Sequence, residues 1–250
     1  SIMDVYEKTM INKFDINREN TEFDLAGEGD NIMSGMMSSM LPFLLIIFLF
    51  SGCMAIVPES ISGEKERGTI ATLLVTPMKR SHLAIGKVIA LAIIATCSGI
   101  SSFIGTMLSF PKLVSMDSEA SFSFDSLYNP VSILWLLIII LSTVILIVGI
   151  MSVLSTYAKS VKEAATMTTP LMLVAMVIAI MSMISQEPKA DLYYYFIPLY
   201  NSVQALTGVF LGSFNTMNLI TTVATNVVIS AICVFGITKM FNSEKIVFSK

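Results

Sequence analysis

Residues able to do chemistry are few in this 250-residue chain, and their spacing is wrong for catalysis. The one histidine, His82, follows Ser81 directly and lies close to Arg80. Adjacent residues on a helix point to different faces, so Ser81 and His82 make a poor nucleophile–base pair. His82 reads as an interfacial residue. Cys53, Cys97 and Cys233 lie inside apolar blocks, with no CxxC spacing and no acidic or histidine neighbours. They read as small buried apolar residues rather than disulfide partners or metal ligands. No HExxH or other metal-ligand cluster is present, and no GxxxxGK[ST] loop that would cradle a phosphate. With no metal and no paired carboxylates in the apolar blocks, an intramembrane enzyme has little to work with.

Neutral oxygens remain. Ser98, Ser101, Ser102 and Thr106 stand in one apolar block, and Thr221, Thr222, Thr225 and Asn226 in another. Ser98, Ser102, Thr106, Thr222 and Asn226 are candidates for lining a solute or ion path. The same residue types also let helices pack closely, and Ala95–Gly99 and Ser101–Gly105 carry small-xxx-small spacing. No Asp, Glu, Lys or Arg interrupts the apolar blocks. That argues against a proton-coupled carrier, which needs an ionisable relay.

The elements that would position these groups are membrane helices. The chain is 54% hydrophobic and 13% charged, against about 25% charged in a typical soluble domain, and its mean hydropathy is +0.79. A net charge of −3 offers no basic stripe for nucleic acid. A bilayer crossing needs about 20 apolar residues. Five blocks qualify, at about 36–57, 88–110, 131–154, 164–184 and 219–237. A shorter block, 197–211, begins near Pro198, ends at Gly212, and suits a half-span on the external side. Pro170 should loosen the fourth span, with Thr168 and Thr169 placed to satisfy freed backbone groups. The expected fold is all-α: five crossing helices, an external half-span and a cytoplasmic amphipathic coupling helix. Its parts are an extracellular tail (1–35), the transmembrane domain (36–240) and a cytoplasmic tail (241–250).

Basic residues set the orientation. Lys65, Arg67, Lys79, Arg80, Lys87, Lys159, Lys162, Lys239, Lys245 and Lys250 fall on one side, and only Lys8, Lys13, Arg18, Lys112 and Lys189 on the other. The first side should be cytoplasmic. The polar, acidic start then lies outside with no signal peptide to export it, so an earlier span is expected upstream of Ser1.

The segment between the first two spans, 58–87, carries the most information. Glu64-Lys65-Glu66-Arg67 is a compact charged knot, broken by Gly68. Thr69 can cap a new helix. Ile70, Leu73 and Leu74 form an apolar stripe at i, i+3, i+4 that Pro77 ends. Lys79, Arg80 and Lys87 suit anionic headgroups. This is an amphipathic helix on the membrane surface with charged ends, or an ordinary solvated loop with anchoring charges.

The run GEKERGTIATLLVTPMKRSHLAIGK resembles the hallmark loop of type-two ABC exporter permeases, and within them the NatB-type sodium-efflux permeases. Glu64, Glu66, Gly68 and Thr69 match its E-x-E-x-G-T element. Leu73, Leu74, Thr76, Pro77 and Arg80 match L-L-x-T-P-x-x-R, and Gly86 and Lys87 match the closing G-K. The likeness covers about residues 35 to 240, and the family's first span has no counterpart here. It implies a permease subunit, not itself an enzyme, paired with a second permease. ATP and Mg would be held by separate ATP-binding subunits, and the chain would need no cofactor of its own. Glu64, Glu66, Arg67, Gly68, Thr69, Leu73, Leu74, Thr76, Pro77 and Arg80 would form the contact that couples it to the ATPase. The cargo would be sodium, or a drug, peptide or lipid, crossing a bacterial cytoplasmic membrane. Two readings compete: a membrane sensor or immunity protein on the same fold, and an intramembrane enzyme.

Overall fold

A computed structural model describes residues 25–69, 80–114, 130–185, 188–189 and 191–242. Among them the fold is all-α. Helix α1 runs Leu25–Glu66, α2 Arg80–Val114, α3 Pro130–Tyr157, α4 Val161–Ser185, α5 Tyr200–Phe210 and α6 Thr216–Asn242, with a 3-10 turn at Leu192–Phe196 before α5. Five helices are long and apolar enough to cross a bilayer, in the segments Met40–Glu66, His82–Leu108, Pro130–Tyr157, Val161–Ser185 and Thr216–Phe241. Each outruns the apolar block that marks it. The block records only the hydrocarbon layer, whereas backbone hydrogen bonding carries a helix on through the headgroup region. The difference is largest for α1, which has 42 residues and passes through Pro42 and Pro58. The knot at Glu64–Glu66 is therefore the last turn of a membrane helix rather than part of a loop. The expected coupling helix after Thr69 lies outside the described residues.

Helix α3 is the central post. It touches each of the other five α-helices, and its side chains from Ile139 to Met151 are mostly buried. An apolar surface gains little from leaving lipid, so close packing must hold such a bundle together. The glycines show it. A Cβ on Gly52 of α1 would lie 2.7 Å from Ser98 Oγ, and one on Gly99 of α2 would lie 2.9 Å from Leu49 Cδ2. On α3, a Cβ at Gly149 would sit 3.3 Å from Cys233 Cβ. Ala95 and Gly99 are buried in the bundle. Ser101 and Gly105, the other small pair, are exposed, and nothing lies within 4 Å of a Cβ at Gly105.

Contacts also fix direction. Ser62 meets Ser155, and Lys87 meets Ser60, so α1 and α3 end where α2 begins. Asn226 meets Ser142 and Cys233 meets Gly149, so α6 runs parallel to α3 and finishes at the same end. That end carries Glu59, Glu64, Lys65, Glu66, Arg67, Lys87, Lys159 and Glu163. The opposite end carries Tyr193, Tyr194, Tyr195 and Tyr200.

Helix α5 has only 11 residues, and every one from Asn201 to Phe210 is buried. Leu199 precedes it at φ 68°, a region costly for a side chain that is not glycine. Burial of Leu199 in the core holds it there. Gly212, at φ 68°, closes α5. Its N–H donates to the Val209 carbonyl at 3.2 Å, and Ser213 N–H donates to the Gly208 carbonyl at 3.0 Å. This pair of bonds is the glycine-terminated helix end that sequence favours at such a position.

Candidate coupling site

Four helix ends meet at the charged end. Gly68, at φ 73°, terminates α1 and donates its N–H to the Lys65 carbonyl at 3.1 Å. The Thr69 hydroxyl turns back to the Glu64 carbonyl at 3.0 Å, closing the helix behind it. The helix that Thr69 was expected to cap lies outside the described residues. Arg67 pairs with Glu59 on the exposed face. Glu64 pairs with Lys87 of α2, which also donates to the Ser60 carbonyl.

The α3–α4 turn is met by the two charges beside Glu64. Lys65 Nζ donates to the carbonyls of Thr156 at 3.4 Å and Ala158 at 3.1 Å, open acceptors at the end of α3. Glu66 Oε2 accepts the Val161 N–H at 2.9 Å, an open donor at the start of α4. Each charge has the sign the local helix dipole favours. The turn closes on itself through a Ser-x-x-Glu cap. Ser160 Oγ accepts the Glu163 N–H at 3.2 Å, and Glu163 Oε2 accepts the Lys159 N–H at 2.7 Å. Glu64 and Glu66, which the resemblance places in the contact with the ATPase, thus each hold a partner inside the chain. Leu73, Leu74, Thr76 and Pro77 lie outside the described residues. Arg80 opens α2, and His82 is exposed.

The candidate path residues separate. Ser98 packs on Gly52 of α1. Thr106 donates to the Ser102 carbonyl of its own helix at 2.8 Å. Thr222 and Asn226 do come together, in a closed network. Asn201 Nδ2 donates to Asn226 Oδ1 at 2.9 Å, and Asn226 Nδ2 donates to Ser202 Oγ at 3.0 Å and Ser142 Oγ at 3.3 Å. The Thr222 carbonyl accepts from Asn201 Nδ2 at 3.5 Å. These amides satisfy one another and tie α5 to α6 and α3. A second set ties α5 to α4 and to the coil before it. Ser182 and Thr207 hydroxyls meet at 3.0 Å, and Gln204 Oε1 accepts the Lys189 N–H at 2.9 Å. Sequence reading missed Asn201, Ser202, Gln204 and Ser142. For Asn201, Ser202 and Gln204 the signal was polar side chains within a block too short to span; Ser142 lies in a full-length span and carried none. In α4, Thr168 and Thr169 bond the carbonyls of Ala164 and Ala165 around the exposed Pro170.

At the aromatic end, Tyr193 and Tyr194 rings lie 4.0 Å apart between centroids. Their hydrogen bond, with desolvation, pushes the Tyr193 phenol up to about 12. Burial raises the Tyr195 phenol as well. These phenols stay neutral, so the tyrosines add aromatic surface and no charge of their own to this end. A cleft of ≈ 550 Å³ opens beside it, between Lys189, Tyr195, Asn215 and Asn218. The three cysteines are free. Cys53 is buried as expected, but Cys97 is exposed on α2, because an apolar block does not tell a lipid-facing side from a packed one. No group of His, Cys, Asp or Glu among the described residues could hold a metal.

Four crossing helices packed with a fifth, the central α3, and a short enclosed helix before α6 define a multi-pass membrane protein. The ABC-2 family transporter proteins match residues 2–242, and the chain belongs to that family. It is also similar to the ABC transporter permease protein NatB of Bacillus subtilis (strain 168), with 27% identity over 217 residues. That alignment covers 86% of this chain and 55% of the relative, so the chain spans little more than half of the relative's length. No solved structure matches it.

Proposed function

We propose that the chain is a permease subunit of an ATP-driven exporter, working beside a second permease subunit and powered by separate ATP-binding subunits. The observation that carries this is the ordered run from Glu64 to Lys87, set between two membrane-crossing helices of an ABC-2 family chain. The apolar blocks within the spans hold no carboxylate or amine of their own to drive transport, so energy must arrive from the ends. The charged end faces the cytoplasm of a bacterial cell, following the excess of Lys and Arg there, and the tail before α1 lies outside. Sodium is the first cargo to test. A dehydrated sodium ion needs several oxygens, which carbonyls and hydroxyls can supply; drugs, peptides and lipids are the alternatives.

The test is a search of the neighbouring reading frames for an ATP-binding subunit and co-purification with it, followed by ATP hydrolysis in proteoliposomes challenged with each cargo class. Hydrolysis stimulated by one class supports the proposal and names the cargo. A chain that binds no ATPase would be a membrane sensor or immunity protein on the same fold.

A further inference from the structure

We infer that Ser62, Gly63, Lys65 and Glu66 form a joint that carries movement of the α1–α2 segment into the α3–α4 hairpin. The inference rests on the transporter reading and adds to it a route the flanking helices alone do not provide. The last turn of α1, from Ser62 to Glu66, makes four separate contacts on the stretch from Ser155 to Val161. The buried Ser62 hydroxyl donates to the Ser155 carbonyl at 2.7 Å. Lys65 binds the last carbonyls of α3, and Glu66 the first free N–H of α4. Gly63 lets the helices approach, since a Cβ there would lie 3.2 Å from Val161 Cγ2.

Open backbone groups at a helix end need partners. Here α1 supplies them to both sides of one turn, with opposite charges on adjacent residues. The turn cannot leave α1 without losing them. On the other flank, Lys87 binds Glu64 and the Ser60 carbonyl, which fastens the start of α2 to the same turn of α1. A displacement applied to residues 70–79 therefore meets one block of four helix ends. Glu66 serves in it as a hydrogen-bond acceptor, so glutamine can replace it. A Glu66 that paired with a cation on the ATPase would need its charge. These are positioning residues; none touches cargo.

The experiment is amide hydrogen exchange on the full chain in complex with its ATP-binding subunit, without nucleotide and with ATP plus vanadate. In the wild type, nucleotide alters exchange at both 80–87 and 155–163. With Glu66→Ala or Lys65→Met, basal exchange at 155–163 rises about tenfold, the scale of one charge-assisted hydrogen bond. The nucleotide response there disappears while that at 80–87 persists, and Glu66→Gln, which keeps the acceptor and loses only the charge, retains the nucleotide response. A response at 155–163 that survives both Glu66→Ala and Lys65→Met overturns the joint. So does a Glu66→Gln variant as impaired as Glu66→Ala. A wild-type complex that does not form, or shows no nucleotide response in either segment, overturns the transporter reading and the joint with it.

Discussion

Asn226 shows how a polar residue in a membrane helix can be structural. Its amide bonds Asn201, Ser202 and Ser142 on two other helices. Asn226→Leu removes these bonds and leaves Asn201 Nδ2 with only the longer bond to the Thr222 carbonyl, at 3.5 Å. The expected cost is about 1–2 kcal/mol, seen as a lower unfolding midpoint in detergent; an unchanged midpoint would count against the network. The Glu64–Lys87 pair makes a sharper case, because sequence reading assigned Glu64 outward. Glu64→Lys and Lys87→Glu should each destabilise the chain by about 2 kcal/mol, and the double swap should recover most of the loss. If the swap restores stability but not co-purification with the ATPase, Glu64 also touches the partner. If it restores neither, the pair within the chain is not what holds it.

At the scale of the helix, glycines decide which surfaces touch. Gly149→Val would crowd Cys233 Cβ and the Ser230 backbone, at 3.3 and 3.6 Å from the new Cβ. Overpacking of this kind costs about 1–3 kcal/mol. Gly105→Val, with open space around it, should leave the unfolding midpoint nearly unchanged, and equal effects would mean that α3 and α6 do not approach as described. This contrast bears on what was legible beforehand. The five spans and the enclosed half-span could be read from block length, since the bilayer imposes it. Pro198 and Gly212 marked the limits of α5 for backbone reasons that act locally. Small-xxx-small spacing could not say which of two pairs is buried, because that depends on the neighbouring helix. Ser62 and Lys65 were hidden for the same reason: their partners lie more than ninety residues away. Nor could the apolar pattern show that α1 continues through Pro58 to Glu66, where a charged surface meets no hydrocarbon.

For the molecule as a whole, side follows from charge and is open to direct labelling. Single cysteines at Lys162, Tyr193 and Gly212 should be modified by an impermeant reagent from the cytoplasm for the first and from outside for the other two. If Tyr193 and Gly212 are reached from opposite sides, α5 crosses the bilayer and the assigned orientation fails. The enclosure of α5 has a consequence for biogenesis. Eleven residues that include Asn201, Gln204 and Thr207 are too short and too polar to be recognised as a span by insertion machinery. Their seat is built by α1, α3 and α4, which precede α5 in the chain, and is completed by α6, which follows it. Asn201 and Ser202 therefore lack their Asn226 partner until α6 has been made. A chain stopped at Asn215 should insert its earlier spans yet be cleaved within Tyr200–Phe210 by external protease faster than a chain that carries α6. Equal resistance in both would show that α5 docks without α6. Otherwise α6 acts as an inspection step for α5, separating copies that carry it from those cut short before it.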